Sequence, residues 1–425
     1  MAAAAALSSA VEVKPGVHWV GTLDPDLRNF DIILRTANGT SYNAYVVRGS
    51  AGVAVIDTVK AAFSDTFFHR LEAVADYDEI TTLVLNHLEP DHSGAMPELM
   101  RRAPRAKLHL SLQARTMLKG LCDVEEFSDR IVTVGTGDTV SLGDRTLRFL
   151  NTPYLHWPDT QCTYLVEEQM LFSGDFLGCH FCDPRLFNDA VGDFRFSFEY
   201  YYAHIMRPFR RHVRDALGLI EPLPLSVIAP AHGPILRDDP RDYVRRYRTL
   251  SAPSLHSGDA PTLLVFYISA YGATRRMAEA VMAGAEEAAA VAGNEVRVSL
   301  YDLEGGTSQP FIDLIEEADG LVFGSPTING DAVKPVWDLL SSLTSIDVRG
   351  KLGAAFGSYG WSGEAVPMIE DRLRRLKLRV PVAGVKARLT PTADELRQCH
   401  DLGRQTALHL LGRAEHRVID MAALG

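Results

Sequence analysis

The stretch Asn86-His87-Leu88-Glu89-Pro90-Asp91-His92-Ser93-Gly94 sets four groups able to bind a metal within six residues: His87, Glu89, Asp91 and His92. The apolar run Thr82-Leu83-Val84-Leu85 before it reads as a buried strand that ends just ahead of His87. Pro90 stiffens the middle, and Ser93-Gly94 signals a turn into a helix. A loop at the end of a buried strand can aim several side chains at one point. The alternative, a polar surface loop, needs no strand behind it. Imidazole mixed with carboxylate suits iron or manganese as well as zinc, whereas closed structural zinc sites favour cysteine and histidine.

Three more residues of ligand type follow strand-like runs: His156 in Tyr154-Leu155-His156-Trp157-Pro158-Asp159, Asp175 in Phe172-Ser173-Gly174-Asp175, and His232 in Ala229-Pro230-Ala231-His232-Gly233. Each alone also reads as a polar loop residue or a cap. Their shared position at strand ends joins them to the His87 stretch as one candidate metal site. His180 and Tyr154 lie near these residues in sequence and are candidates to support them. Cys179-His180-Phe181-Cys182 is a lone C-x-x-C, which without a second pair is weak evidence for zinc.

A second kind of chemistry is written near the middle of the chain. Ser269-Ala270-Tyr271-Gly272-Ala273-Thr274 follows an apolar strand and opens a helix. Small residues at a helix N-terminus present backbone N–H groups to a phosphate. Ser269 and Thr274 add hydroxyls. No lysine stands at the P-loop position, which disfavours a nucleoside triphosphate. The loop also lacks the G-x-G-x-x-G form expected for a dinucleotide, so a single monophosphate fits better. Two later loops end strands of the same region. One carries Ser325, Pro326, Thr327, Asn329 and Gly330; the other carries Ser358, Tyr359, Gly360, Trp361 and Gly363. Tyr359 and Trp361 offer flat faces for a ring, and the loop backbones offer hydrogen bonds. Tight turns beside a core aromatic are the plainer alternative.

The elements that must position these groups divide the chain in two. Residues 1–250 begin with β patterning over Val17–Val20, Tyr42–Val47 and Val53–Asp57. Strands and helices then alternate, with a long amphipathic helix predicted over Phe198–Leu219. Residues 251–260 read as a linker, marked by Pro253, Ser257-Gly258-Asp259 and Pro261 just beyond. Residues 261–425 alternate as strand and helix, with strands at Thr262–Ile268, Val296–Leu300, Gly320–Phe323, Leu352–Phe356 and Gly384–Leu389. That order predicts a doubly wound parallel sheet.

Bulk properties narrow the function. A chain of 425 residues is too long for one ordinary core. A net charge of −11 disfavours a nucleic-acid partner. The arginine-rich runs 207–214 and 241–248 read as solvated helix faces or docking faces for an acidic protein. Five cysteines make no disulfide framework. No run of about eighteen apolar residues predicts a membrane span. The alanine-rich N-terminus lacks the charged and apolar regions of a signal peptide, which leaves the cytoplasm as the expected location.

The H-x-E-x-D-H stretch resembles the metal motif of the metallo-β-lactamase fold, with Glu89 at the position where the hydrolases carry histidine. An anion there suits a centre that cycles through ferric states. With the flavodoxin-like loops, the whole chain resembles the flavodiiron protein family in its two-domain form. One departure is Ala273, where many flavodoxins carry asparagine. The resemblance implies an N-terminal metallo-β-lactamase-like αββα sandwich followed by a flavodoxin-like sheet holding FMN. It also implies two irons about 3.5–4 Å apart. His87, Glu89 and His156 would serve one iron, Asp91 and His232 the other, and Asp175 would bridge them. His92 stands beside them as a further candidate ligand. The implied activity is reduction of dioxygen to water, nitric oxide to nitrous oxide, or both. Electrons would come from an external donor such as a rubredoxin or a flavin or NAD(P)H reductase. Because the sites lie on different domains, a head-to-tail homodimer or a dimer of dimers is expected. Two other readings remain at this point: a zinc hydrolase with an appended flavodoxin domain, and an electron-transfer module with a vestigial metal site.

Overall fold

The computed structural model describes residues 9–30, 34–252, 260–293, 296–305 and 309–413. Its contacts divide the chain into two compact units, Met1–Ala252 and Pro253–Gly425. Most of the expected linker, at 253–259, lies outside the described residues, as do residues 1–8 of the N-terminus.

The first unit is built on two sheets. Seven strands run in the order Val11–Lys14, Val17–Trp19, Tyr45–Gly49, Gly52–Ile56, Ile80–Val84, Lys107–Ser111 and Ile131–Val134; five more run from Thr139–Ser141 through Thr146–Asn151, Gln161–Leu165 and Met170–Gly174 to Val227–Pro230. The period-two pattern of each strand decides what it packs against. Ala54 and Ile56 face the second sheet, where they meet residues such as Phe149, Phe172 and Ala229. Val53 and Val55 face the opposite way, toward Phe67, Leu71, Met96 and Leu99 of the helices. Tyr164, Leu171 and Ile228 of the second sheet face Val213, Leu217 and Tyr247 on its own helices. The result is a four-layer αββα sandwich.

Two expectations fail here for identifiable reasons. The predicted strand Tyr42–Val47 is split into Thr40–Tyr42 and Tyr45–Gly49. Asn43 sits in the gap. It accepts the Trp19 indole N–H at 2.8 Å and donates to Pro230 O at 2.8 Å and Gly233 O at 2.9 Å. The predicted helix Phe198–Leu219 is broken into Arg195–Tyr201, a π-turn at Tyr202–Met206, a 3-10 turn at Arg207–Phe209, and Arg210–Ile220. Pro208 has no N–H to continue the ladder, and its ring crowds the carbonyl four residues back.

The second unit is a five-stranded parallel sheet in the order Arg297–Asp302, Thr262–Tyr267, Gly320–Gly324, Leu352–Tyr359, Val385–Arg388. Numbered along the chain this is 2-1-3-4-5, with its switch point between the first and third strands. Both faces are covered: Leu264 and Phe266 pack toward one helical layer, Leu263 and Val265 toward the other. Gly284 and Gly403 let the helices Ala273–Val291 and Ala393–Leu410 touch backbone to backbone.

Candidate metal centre and flavin cleft

The His87 stretch does not stay irregular. Pro90–Ser93 forms one helical turn with proline at its first position. The stretch feeds two clusters: His87, Glu89, His156 and Asp175 form one, and Asp91, His92 and His232 form the other. Asp175 reaches both. Its Oδ2 lies 3.5 Å from His87 Nε2 and 3.1 Å from His156 Nε2, while its Oδ1 lies 3.3 Å from His92 Nε2 and 3.7 Å from His232 Nε2. Glu89 Oε2 stands 2.9 Å from His156 Nε2. Asp91 Oδ2 stands 3.2 Å from Nε2 of both His92 and His232. Those two nitrogens face one another at 3.1 Å.

These residues fit a pair of metal ions. Both oxygens of Asp91 and of Asp175, and Nε2 of His156, are buried with no hydrogen-bond partner among the described residues. Each such group costs about 1–3 kcal/mol if left unpaired, yet they are gathered at one place. Carboxylate and imidazole together are a donor set for iron. The charges are also opposed. Burial lowers the His156 imidazole, but Asp175 and Glu89 outweigh it and raise it to about 9. Burial raises the Asp175 carboxyl, but His87, His156 and His232 hold it well below the usual range.

Further groups fix the clusters. His232 Nδ1 lies 2.7 Å from Ser41 O, so this nitrogen carries the proton and Nε2 keeps its lone pair. The Thr40 hydroxyl lies 3.2 Å from that nitrogen and 2.9 Å from His180 Nδ1. His180 is therefore near the centre as expected. Tyr154 is not: it is 39% exposed and packs on Phe209 and His212. Cys179 and Cys182 belong to neither cluster, and burial pushes the Cys182 thiol up to about 11. Sequence reasoning missed Asp57. With φ 57° at a strand end, its carboxylate accepts Asn86 N–H and Asn86 Nδ2 at 2.7 Å each. Asn86 O in turn accepts Gln161 N–H at 2.8 Å. An acid closing an apolar strand, the pattern that marked Asp175, also marks Asp57.

In the second unit a cleft of about 370 Å³ opens at the carboxyl ends of the strands. Tyr271, Ala273, Pro326, Thr327, Ser358, Tyr359, Gly360 and Trp361 line it as expected. Ala270, Ile328, Leu389 and Thr390 line it too, and nothing in their types announced them. Gly272, at φ 82°, caps the N-terminus of the helix Ala273–Val291. Ser269 Oγ is buried without a partner among the described residues, and Thr274 Oγ1 lies 2.9 Å from Ser358 Oγ. A helix N-terminus beside an unsatisfied hydroxyl fits a phosphate, and the aromatic walls fit a flavin ring. Four expected residues are not among those lining the cleft. Ser325 Oγ donates to Pro326 O at 2.8 Å and accepts Val333 N–H at 3.1 Å. Asn329 and Gly330, at φ 55° and 74°, turn a hairpin between Thr327–Ile328 and Asp331–Ala332. Gly363 backs Tyr359 rather than lining the cleft; a Cβ there would lie 3.2 Å from the ring.

A lactamase-like sandwich with a twin carboxylate–imidazole cluster, carried in one chain with a 2-1-3-4-5 sheet and a flavin cleft, defines a flavin- and metal-dependent oxidoreductase. Residues 40–233 match the family described as ODP family beta lactamase, and residues 265–403 match flavodoxin. The chain is 60% identical to the type A flavoprotein fprA of Rhodobacter capsulatus, over 97% of this chain and 94% of that protein. It is 35% identical to the flavo-diiron protein FprA2 of Clostridium acetobutylicum, over 94% of this chain and 99% of that one. It is also 35% identical to the anaerobic nitric oxide reductase flavorubredoxin of Aeromonas salmonicida, over 93% of this chain and 75% of that one. Among solved structures, the flavodiiron protein from Giardia intestinalis superposes with a TM-score of 0.62 at 29% identity, over 95% of this chain and 97% of that one. Rubredoxin oxygen:oxidoreductase from Desulfovibrio gigas gives 0.62 at 27%, over 95% and 99%. The chain belongs to the flavodiiron protein family. Its cofactors are accordingly FMN and a diiron centre. Among the described residues no helix is long and apolar enough to cross a membrane.

Proposed function

We propose that this oxidoreductase passes electrons from reduced FMN to the diiron centre, which reduces dioxygen to water, nitric oxide to nitrous oxide, or both. The observation that carries this reading is the Asp175 carboxylate set between two carboxylate–imidazole clusters. The relatives' names supply both gases: the Desulfovibrio gigas enzyme is named for oxygen, the Aeromonas salmonicida enzyme for nitric oxide. We assign His87, Glu89 and His156 to one iron, Asp91, His92 and His232 to the other, and Asp175 to both.

When bound, the irons supply redox-active positions for a diatomic ligand and the flavin supplies electrons. The chain's own part is enclosure and orientation. Leu27, Phe30 and Tyr42 help line a cavity of about 180 Å³ that reaches Glu89 and Asp91. That is below the roughly 300–1,000 Å³ of pockets for larger ligands, and Asn29 and Lys60 share its lining with these apolar side chains. At the flavin cleft, Tyr271 and Trp361 are 100% and 80% exposed. Those bare aromatic faces support a head-to-tail homodimer, alone or within a dimer of dimers, in which one chain's flavin serves its partner's irons. The electron donor would be a rubredoxin or a flavin or NAD(P)H reductase, and the location the cytoplasm. The hydrolase reading loses its ground, because near-full-length relatives are flavoproteins and the third motif position is Glu89.

The test is anaerobic loading with ferrous iron and FMN, chemical reduction, and parallel electrode assays with each gas. A pair of irons, a flavin and uptake of at least one gas are expected. Bound zinc with ester turnover and neither gas consumed overturns the reading.

A further inference from the structure

The fifth strand of the second sheet ends at Arg388, and the residue after it is costly in two ways. Leu389 has φ 60°, a left-handed backbone that suits glycine and asparagine and strains other side chains. It is also 66% exposed, so a large apolar group forgoes the gain of burial. Strained residues persist where their surroundings over-determine them, and they gather at ligand sites. The surroundings here do so. Leu389 N–H donates to Tyr359 O at 2.8 Å, and Arg388 Nε donates to Gly360 O at 3.1 Å. Just beyond, Thr392 caps the helix Ala393–Leu410: its Oγ1 accepts Glu395 N–H at 3.2 Å, and its own N–H donates to Glu395 Oε2 at 2.7 Å. The turn is thus pinned to the Tyr359–Gly360 loop on one side and to a helix end on the other. Both Leu389 and Thr390 are held in the lining of the flavin cleft.

Leu389 has company of its own kind there. Ile328, Trp361 and Tyr271 line the same cleft and also stand exposed. The polar part of the site is the helix N-terminus at Gly272, with the hydroxyls of Ser269 and Thr274. An apolar side chain gains by covering a ring and gains nothing by covering a phosphate. We infer that Leu389 is a flavin-contact residue that sets the reduction potential of FMN: its side chain is held in a strained conformation to cover the ring and keep water from it. The strain is a cost in the empty protein that contact with the ring offsets. Reduction by two electrons and one proton leaves the flavin ring with a negative charge, which an apolar, water-poor neighbourhood disfavours. Leu389 therefore lowers the potential of bound FMN and makes it a stronger donor.

The test uses the full chain, stripped of FMN and then titrated with it. Leu389→Gly and Leu389→Asn both accept the left-handed backbone and remove the apolar wall. The Kd for FMN should rise about 3- to 10-fold. The potential of bound FMN, followed by its visible absorbance during chemical reduction, should move upward. The melting midpoint of the FMN-free protein should hold or rise, because the strain is gone. Leu389→Met keeps both the strain and the apolar wall, and should match wild type in Kd and potential. A side chain that merely packs the fold would lower the FMN-free midpoint and leave the potential where it was; that result overturns the inference. Wild-type Kd and potential in the Leu389→Gly and Leu389→Asn proteins, with loss of self-association, also overturn it, since Leu389 would then contact a second copy of the chain. If the midpoint falls together with a rise in Kd, the potential decides: a rise that Leu389→Met does not show supports the inference, and no change overturns it. The inference rests on FMN occupying this cleft, and failure of that assignment looks different: wild-type protein would take up no FMN.

Discussion

The metal centre and the flavin cleft are built in opposite ways. The centre is made of side chains: His87, His92, Asp175 and His232 are each 0% exposed. Other side chains, such as Asp57 and Asn86, hold them in place. The cleft is made of open loops, a helix N-terminus and exposed rings. A side-chain site in a dry interior fails when one member changes, because a charge is left unpaired. A backbone site spreads its grip over several N–H groups and depends little on any one side chain. The first kind of site is fragile and specific, the second tolerant.

The largest effect should come at Asp175. Asp175→Ala removes the group common to both clusters. Iron content is expected to collapse and gas reduction to fall by more than about 100-fold, above the range for outer partners of metal ligands. FMN content should not change. Metal analysis and electrode assays check this, and a variant that keeps both irons breaks the contrast.

Acidity should separate the sites next. In the metal-free centre burial lowers His156, but Asp175 and Glu89 raise it to about 9. Below that value the imidazole holds a proton that iron must displace. Apparent iron affinity therefore rises with pH up to at least about 9, about tenfold per unit for each displaced proton. FMN affinity should change much less across the neutral range. Calorimetric titrations of iron and FMN in parallel would show whether the two curves diverge.

A smaller effect probes the scaffold of the cleft. A Cβ on Gly403 would lie 1.8 Å from Val281 O. Gly403→Ala must push two helices apart, at about 1–3 kcal/mol. The melting of the flavin-binding unit should drop while iron content holds, a split that differential scanning calorimetry with metal analysis would reveal.

The smallest effect should be at Trp361. An exposed ring that stacks on a flavin contributes about 0.5–1.5 kcal/mol, so Trp361→Ala should raise the Kd for FMN about 2- to 10-fold. Complete loss of flavin would mean the cleft leans on a side chain after all.

The same contrast explains what the sequence disclosed. The residues of the two clusters have rare types at fixed spacing after apolar strands, so the gathering of His87, Glu89, Asp91, His156, Asp175 and His232 was legible, and so was the alternation that builds each unit. His92 was legible as a candidate, but only its place opposite His232, at 3.1 Å, groups it with Asp91. Asp57 carried the mark of Asp175, an acid closing an apolar strand, but not its role, because its partner Asn86 lies 29 residues away. Leu389 and Thr390 reach the cleft because the fifth strand ends beside it, a fact of topology that their types do not carry. The break in the Phe198–Leu219 helix was visible in principle, since Pro208 stands inside the pattern, but apolar periodicity on either side masked it.

Because Asp175 turns one oxygen toward each cluster, the two binding events share a wall. An ion seated beside Oδ2 fixes the plane of the carboxylate, and so also the direction of Oδ1. The second ion would then meet a carboxylate already oriented toward it, a gain that must outweigh the repulsion between two neighbouring cations for binding to be cooperative.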